Sequence, residues 1–222
     1  MSFTLKSSAI LSGMEWTWVF ASYFLGCFTA GYYYTRWRTG QDIRTLGSRN
    51  VGARNVGRIV GPTGFTITLL LDLAKGALVS GCAIKLGLRD EAIVASIIAV
   101  VIGHNWPAQL GFHGGKGVAV SCGALLAWDP LMVLCMVGIF VPIIAVLRNF
   151  MLSGMVGYAL GPLAAFLCGL DKAEIAAMSS VAVMVVFAHR QNIREEITRL
   201  AGHDPVNNND RAEMHKAPHD EA

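Results

Sequence analysis

Apolar residues in this chain come in blocks, not in alternation. Seven runs stand out: Trp16 to Tyr34, Gly64 to Leu88, Ala92 to Gly103, Val118 to Trp128, Leu131 to Leu147, Met151 to Leu170 and Ile175 to Ala188. Blocks of this kind predict helices that cross a lipid bilayer, and a full crossing takes about 20 apolar residues. The pattern therefore predicts an all-α, polytopic membrane protein with about seven transmembrane helices. The third, fourth and seventh runs are short, and each abuts a polar motif that carries Gly or His. Two explanations stay open. Either the helices continue into the motifs, or the segments are broken or re-entrant where protein or water satisfies their backbone. Trp16, Trp18 and the run Tyr32-Tyr33-Tyr34 read as interfacial aromatics. The expected organisation is an extracytoplasmic segment (1–15), a membrane domain (16–200) and a polar, disordered tail (201–222). No cleavable signal peptide is evident, so the first run itself would direct insertion.

Composition agrees with this picture. Of the 222 residues, 54% are hydrophobic and 15% charged, where a soluble domain has about 25% charged. The net charge of +3 implies no nucleic-acid partner, because the basic residues gather at the ends of the apolar runs, where they meet membrane lipids. Five cysteines all lie inside those runs. They show neither a disulfide framework nor zinc-ligand spacing, and they read as small core residues. Alternate loops of a seven-helix protein share a side. One side collects eleven Lys and Arg, from Arg36 to Arg199, and the other only Lys6, Arg89 and Lys172. The first side is then cytoplasmic, with the amino terminus outside and the carboxyl terminus inside.

Three polar motifs fall on that cytoplasmic side. The first runs from Arg36 to Arg58, with six arginines, two asparagines, Ser48 and four glycines. It is a candidate anion cradle, because glycine lets backbone N–H groups approach a ligand and arginine grips phosphate with a planar fork. It equally fits a set of topology signals at lipid headgroups. The second is Gly111-Phe112-His113-Gly114-Gly115-Lys116-Gly117-Val118. It is not a nucleotide-binding P-loop: Gly111 is one residue too close to the Gly-Lys pair, and Gly117 stands where Ser or Thr is needed. Its inventory is still that of a phosphate site, with backbone N–H groups, one lysine and a helix amino end. The plain alternative is a helix break with a snorkelling lysine. The third is His189-Arg190-Gln191-Asn192-Ile193, where His189 and Asn192 share a helical face. His104 holds a similar position after the third run. The apolar runs and the three motifs hold no His-x-x-x-His pattern, no Gly-x-Ser-x-Gly elbow and no cofactor fingerprint, so neither a metal nor a covalent nucleophile is expected. Asp72 and Lys75, at i and i+3 inside the second run, fit either a structural ion pair or a functional role.

These motifs resemble those of the bacterial membrane acyl-phosphate:glycerol-3-phosphate acyltransferases, the PlsY family. The first match is Asp42-Ile43-Arg44 with Gly47-Ser48-x-Asn50-x-Gly52-Ala53-x-Asn55 and Arg58. Asp72 with Lys75-Gly76 is similar to the family's second-helix signature. Gly103-His104-x-x-Pro107 followed by Phe112-x-Gly114-Gly115-Lys116-Gly117-Val118-Ala119 resembles its second motif, and His189-Arg190-x-Asn192-Ile193 its third. The resemblance implies transfer of a fatty acyl group from acyl phosphate to the 1-hydroxyl of glycerol 3-phosphate, giving lysophosphatidic acid and phosphate. That reaction would take place at the cytoplasmic face of a bacterial inner membrane. It further implies that Ser48, Arg58, Lys116, His189 and Asn192 carry catalysis, and that Asn50, Asn55, His104, Gly114, Gly115, Gly117 and Arg190 bind substrate. Arg49 and Arg54 depart from the pattern, standing where a glycine and a threonine are usual. The acidic residue that closes the third motif is Glu195, Glu196 or Asp204. The alternative is a divergent member that uses another acceptor, or that binds or transports an anionic lipid without acyl transfer.

Overall fold

The computed structural model describes residues 10–200; the expected tail and most of the amino-terminal segment lie outside them. Helices are the regular elements among the described residues, which hold no strand. They fall into two units, one running to Ala188 and one beginning at His189.

In the first unit, helix α1 spans Gly13–Cys27 and α2 spans Ala30–Thr39. A 3-10 turn at Ile43–Thr45 and the short α3, Ala53–Val60, follow. Then come α4 (Pro62–Lys85), α5 (Asp90–Asn105), a second 3-10 turn at Ala108–Leu110, and α6 (Val118–Trp128). The unit closes with α7 (Pro130–Leu147), α8 (Phe150–Leu167) and α9 (Lys172–Ala188). The second unit holds α10, Arg190–Leu200.

The boundaries have local causes. At the start of α1, Ser12 Oγ accepts from the Glu15 N–H (3.3 Å) and Glu15 Oε2 from the Ser12 N–H (2.7 Å), a reciprocal capping box. The same carboxylate takes the Arg89 guanidinium at 2.9–3.0 Å. Because Arg89 is the N-cap of α5, the pair pins the starts of α1 and α5 together. The guanidinium holds the Glu15 carboxyl well below the usual carboxylate range. Proline opens α4 and α7, where its missing N–H costs nothing. Gly117 and the Asp129-Pro130 pair bracket α6.

Close helix crossings hold the bundle. α1 meets α5 at Gly26 and Gly103: a side chain at Gly26 would strike the Val100 backbone, and one at Gly103 the Tyr23 carbonyl. α4 meets α6 in the same reciprocal way, through Gly76 against Val120 and Gly123 against Leu73. Lipid offers little hydrophobic drive for helix association, so close backbone packing through small residues supplies the attraction.

Length and composition account for part of the expected span count. Among the described residues, four segments are long and apolar enough to cross a membrane: Pro62–Lys85, Asp90–Leu110, Pro130–Leu147 and Phe150–Leu167. A fifth appears only when α9 and α10 are counted as one. The run from Trp16 to Tyr34, expected as a single span, is two helices separated at Phe28 and Thr29. The break is stabilised from outside, because the carbonyls it releases find donors on other elements. Lys75 Nζ donates to the carbonyls of Gly26 (3.3 Å) and Phe28 (2.8 Å), and Gln109 Nε2 to that of Cys27 (2.5 Å). The fourth run is a helix of 11 residues, as short as its sequence. The third run is not broken: α5 carries through His104 and Asn105 into the motif.

Candidate active site

The first motif is not an open loop. Asn55, buried on α3, organises it from within. Its Oδ1 accepts the Ser48 N–H at 2.9 Å, and its Nδ2 donates to the carbonyls of Leu46 (3.0 Å) and Asn50 (2.9 Å). Ile43, Val51 and Val56 form an apolar plug beneath it. Ser48 and Arg58 are exposed and Asn50 is half-buried. The amino end of α3, at Gly52, has no side-chain cap. Arg58 and Arg54 line an open groove of about 360 Å³ with Gly57, Pro62, Phe65 and Thr66. The Arg54 guanidinium also lies 5.5 Å from the ring centroid of Phe150 at the start of α8. Arg49 has φ 58, a left-handed conformation that glycine adopts without strain. That explains why a glycine suits this position.

Arg44 joins the first motif to the second. Its fork grips Asp42, with Nε to Oδ1 at 3.0 Å and Nη2 to Oδ2 at 2.7 Å. Its Cζ lies 5.2 Å from the Tyr32 ring centroid, and Nη1 donates to the Leu110 carbonyl at 2.6 Å. The guanidinium holds the Asp42 carboxyl below its usual value. Two stretches more than 60 residues apart are thereby fixed to one another.

The glycine turn of the second motif folds back on the end of α5. The Gly114 N–H donates to the Asn105 carbonyl at 3.1 Å and the Gly115 N–H to the His104 carbonyl at 2.9 Å. These two N–H groups, expected to face a ligand, are already used. The amino end of α6, with Gly117 (φ 80) at the N-cap position, has no side-chain cap. Lys116, next in sequence to Gly117, is half-buried. Tyr158, from α8, steadies that end of α6: its hydroxyl donates to the Val118 carbonyl at 3.1 Å and lies 2.8 Å from Ser121 Oγ.

His104 is buried beneath the turn, and a side chain on Gly115 would overlap its ring. Its Nδ1 lies 2.8 Å from Lys75 Nζ, which in turn lies 2.9 Å from Asp72 Oδ1. An ammonium can only donate, so Nδ1 accepts and the ring proton sits on Nε2. Asp72 and Lys75 are thus a buried ion pair that ties α4 to the α1–α2 break and to His104. No group of three or more potential metal ligands occurs among the described residues.

In the second unit, His189 precedes α10 and its carbonyl accepts the Ile193 N–H at 2.9 Å. Arg190 is exposed, Asn192 is half-buried, and Gln191 bonds Glu195 at 2.9 Å. Glu196 pairs with Arg199.

Two residues of this region carry structural features that the sequence does not signal. Arg44 was read as part of a pattern, and its bond to a main-chain carbonyl leaves no sequence signal. Asn105 follows His104 directly, and its burial is visible only in the fold.

The family model for glycerol-3-phosphate acyltransferases matches residues 16–199. The chain is 35% identical over 181 residues to glycerol-3-phosphate acyltransferase 1 of Desulfitobacterium hafniense (strain Y51), covering 82% of this chain and 90% of that one. It is 36% identical over 178 residues to the glycerol-3-phosphate acyltransferase of Clostridioides difficile (strain 630), covering 78% and 87%. Among solved structures, it superposes on PlsY (YgiH), an integral membrane glycerol 3-phosphate acyltransferase. The glycerol 3-phosphate form gives a TM-score of 0.77 at 29% identity, over 86% of this chain and 94% of that one. The lysophosphatidic acid form gives 0.74 at 27% over the same shares.

Proposed function

The chain belongs to the glycerol-3-phosphate acyltransferase family, and from that premise we propose how its residues carry acyl transfer to glycerol 3-phosphate. It is a multi-pass membrane acyltransferase, and lysophosphatidic acid is the product. The observation that carries the reading is the union of two motifs with uncapped helix amino ends, α3 and α6, through the Arg44 bond to Leu110. Helix amino ends favour phosphate, and both acceptor and leaving group are phosphates.

The donor in this reading is acyl phosphate. The acceptor's 1-hydroxyl oxygen attacks the acyl carbonyl carbon, the bond from that carbon to the phosphate oxygen breaks, and phosphate leaves. The departing phosphate takes the hydroxyl proton, so the balance needs no other base and no acyl-enzyme. A mixed anhydride is already activated, and the protein's task is positioning and charge stabilisation. Arg58 and Lys116 offset phosphate charge, and Ser48 holds a phosphate or carbonyl oxygen. His189 and Asn192, assigned by the third motif, orient the reacting centre, with Arg190 beside them. Asn50, Asn55, His104, Gly114, Gly115 and Gly117 shape the binding surface. The seven apolar runs support seven crossings and the three-segment plan (1–15, 16–200 and 201–222), and the charge asymmetry between alternate loops supports an amino terminus outside and an active site on the cytoplasmic face of the inner membrane.

The test is purified protein with acyl phosphate and glycerol 3-phosphate, scored for lysophosphatidic acid and free phosphate in equal amounts. Lys116→Ala and Arg58→Ala are expected to abolish turnover. His189→Ala is expected to lower kcat without changing the shape of the pH–rate profile; loss of its acidic limb would instead make His189 the base. Absence of turnover with glycerol 3-phosphate would remove the acceptor assignment.

A further inference from the structure

Asn105 is 4% exposed, and both polar atoms of its carboxamide, Oδ1 and Nδ2, lack hydrogen-bond partners. Among the described residues, no other buried side chain leaves two separate polar atoms unpartnered. Leaving one such atom unpaired in a protein interior costs on the order of 1–3 kcal/mol, so two on one residue ask for a specific partner. The amide is also directed at a particular place. A side-chain carbon built on Gly117 would sit 3.1 Å from Asn105 Oδ1 and 3.4 Å from Nδ2. Gly117 is the first residue of the α6 amino end, which no side chain caps. Asn105's own carbonyl is held by Gly114 at 3.1 Å, so the residue cannot swing away from the turn.

We infer that Asn105 is the residue that reads the glycerol backbone of the acceptor, hydrogen-bonding its 2-hydroxyl at the amino end of α6. This inference rests on the acceptor assignment above. The chemistry of the amide selects the group. A phosphate dianion only accepts, so it would satisfy Nδ2 and leave Oδ1 facing negative charge. A hydroxyl both donates and accepts, and it matches both atoms. The reacting 1-hydroxyl is a poor candidate, because a bond from Nδ2 to its lone pair would blunt its attack on the acyl carbon. The hydroxyl that survives in the product suits a neutral, buried, two-way partner. The phosphate of the same molecule is then left to the helix end and the cationic side chains.

The experiment compares two acceptors in the full-length protein with acyl phosphate as donor. These are glycerol 3-phosphate and 3-hydroxypropyl phosphate, which keeps the reacting hydroxyl and the phosphate but lacks the 2-hydroxyl. The wild type is expected to favour glycerol 3-phosphate in kcat/KM by roughly tenfold to a hundredfold, the worth of a buried two-way hydrogen bond. Asn105→Leu is expected to shrink that preference to within about threefold, by losing activity on glycerol 3-phosphate while keeping it on the analogue. Asn105→Asp, which keeps the shape and loses the donor, is expected to fall between them. It serves as the reporter if the leucine variant does not fold. A wild type indifferent to the 2-hydroxyl overturns the inference without any variant. Unchanged preference in the folded Asn105 variants overturns it too, and assigns the amide to an ordered water. A wild type that turns over neither acceptor overturns the acceptor assignment itself, and this inference with it.

Discussion

Replacing Lys75 with methionine isolates the contribution of the buried cluster at the α1–α2 break. Methionine is close in length, so little cavity is made, but Asp72 loses its cation at 2.9 Å. Two main-chain carbonyls, Gly26 and Phe28, lose their shared donor. His104 Nδ1 loses the partner that fixes its tautomer. Removing one half of a buried ion pair costs about 3–5 kcal/mol, because the other charge stays behind. For a chain of this size 1 kcal/mol moves the melting point by about 2–4 °C, so a fall of roughly 6–20 °C is expected. The native cysteines supply the assay. Cys27, at the break, is buried, and a thiol-reactive dye gains fluorescence as the protein opens in detergent. Lys75→Met/Asp72→Leu, which removes both charges, is expected to recover part of the loss but not all, since the two carbonyls stay without their donor. A single variant melting within about 2 °C of the wild type would refute the view that the ammonium holds the break together. Full recovery in the double variant would show that the carbonyls need no lysine.

Other outcomes are expected from the same geometry. Arg44→Lys keeps the charge but cannot span Asp42 and Leu110 with one planar fork; kcat/KM for glycerol 3-phosphate should drop by about tenfold or more, as expected when a reacting centre is misplaced, while melting changes little. Asp42 and Glu15 have folded-state pKa values held below their ordinary values by Arg44 and Arg89. The stability they contribute is present above the ordinary values of 3.8 and 4.5 and is lost as pH falls through the depressed ones. Melting curves should therefore be insensitive to these pairs above about pH 5 and fall in acid, with a smaller fall in Asp42→Asn and Glu15→Gln. Arg49→Gly relieves a left-handed side-chain position, at φ 58, and should raise stability by about 0.5–1 kcal/mol in the melting assay. No gain would mean that the Arg49 side chain makes up the backbone cost.

The helices were legible wherever a run was long or clearly punctuated. α6 runs from Val118 to Trp128, as its sequence indicates, because Gly117 and Asp129-Pro130 leave no other ends. The Asp72–Lys75 pair was legible from its spacing, although its second job was not. The α1–α2 break escaped because Gly-Cys-Phe-Thr is as apolar as its surroundings. The break is made by Lys75 and Gln109, which lie 47 and 82 residues away from the carbonyls they take. α3 was hidden by glycines that read as a loop, yet Val56 and Asn55 bury one face of it. The sequence proposes the motif residues as a site, and the state of their atoms is visible only in the fold. The Gly114 and Gly115 N–H groups look available in the sequence and are bonded to α5, whereas the Asn105 amide looks unremarkable and has both of its polar atoms unpaired.

Several long-range ties among the described residues share one form. Lys75, Gln109, Tyr23, Arg44 and Tyr158 all reach across the fold, and each ends on a main-chain carbonyl: Gly26 and Phe28, Cys27, Trp106, Leu110 and Val118 respectively. A carbonyl is present whatever residue carries it, so the accepting positions are free to drift while the donors are not. Correlated substitution between donor and acceptor columns is then expected to be silent at these contacts, although they hold the motifs in register. A double-mutant cycle between Arg44 and Leu110 should return almost no coupling, even though Arg44 alone is costly to lose. The frame that sets this site is written in half-pairs, and relatives about 35% identical can keep it while sharing few of its contacts residue for residue.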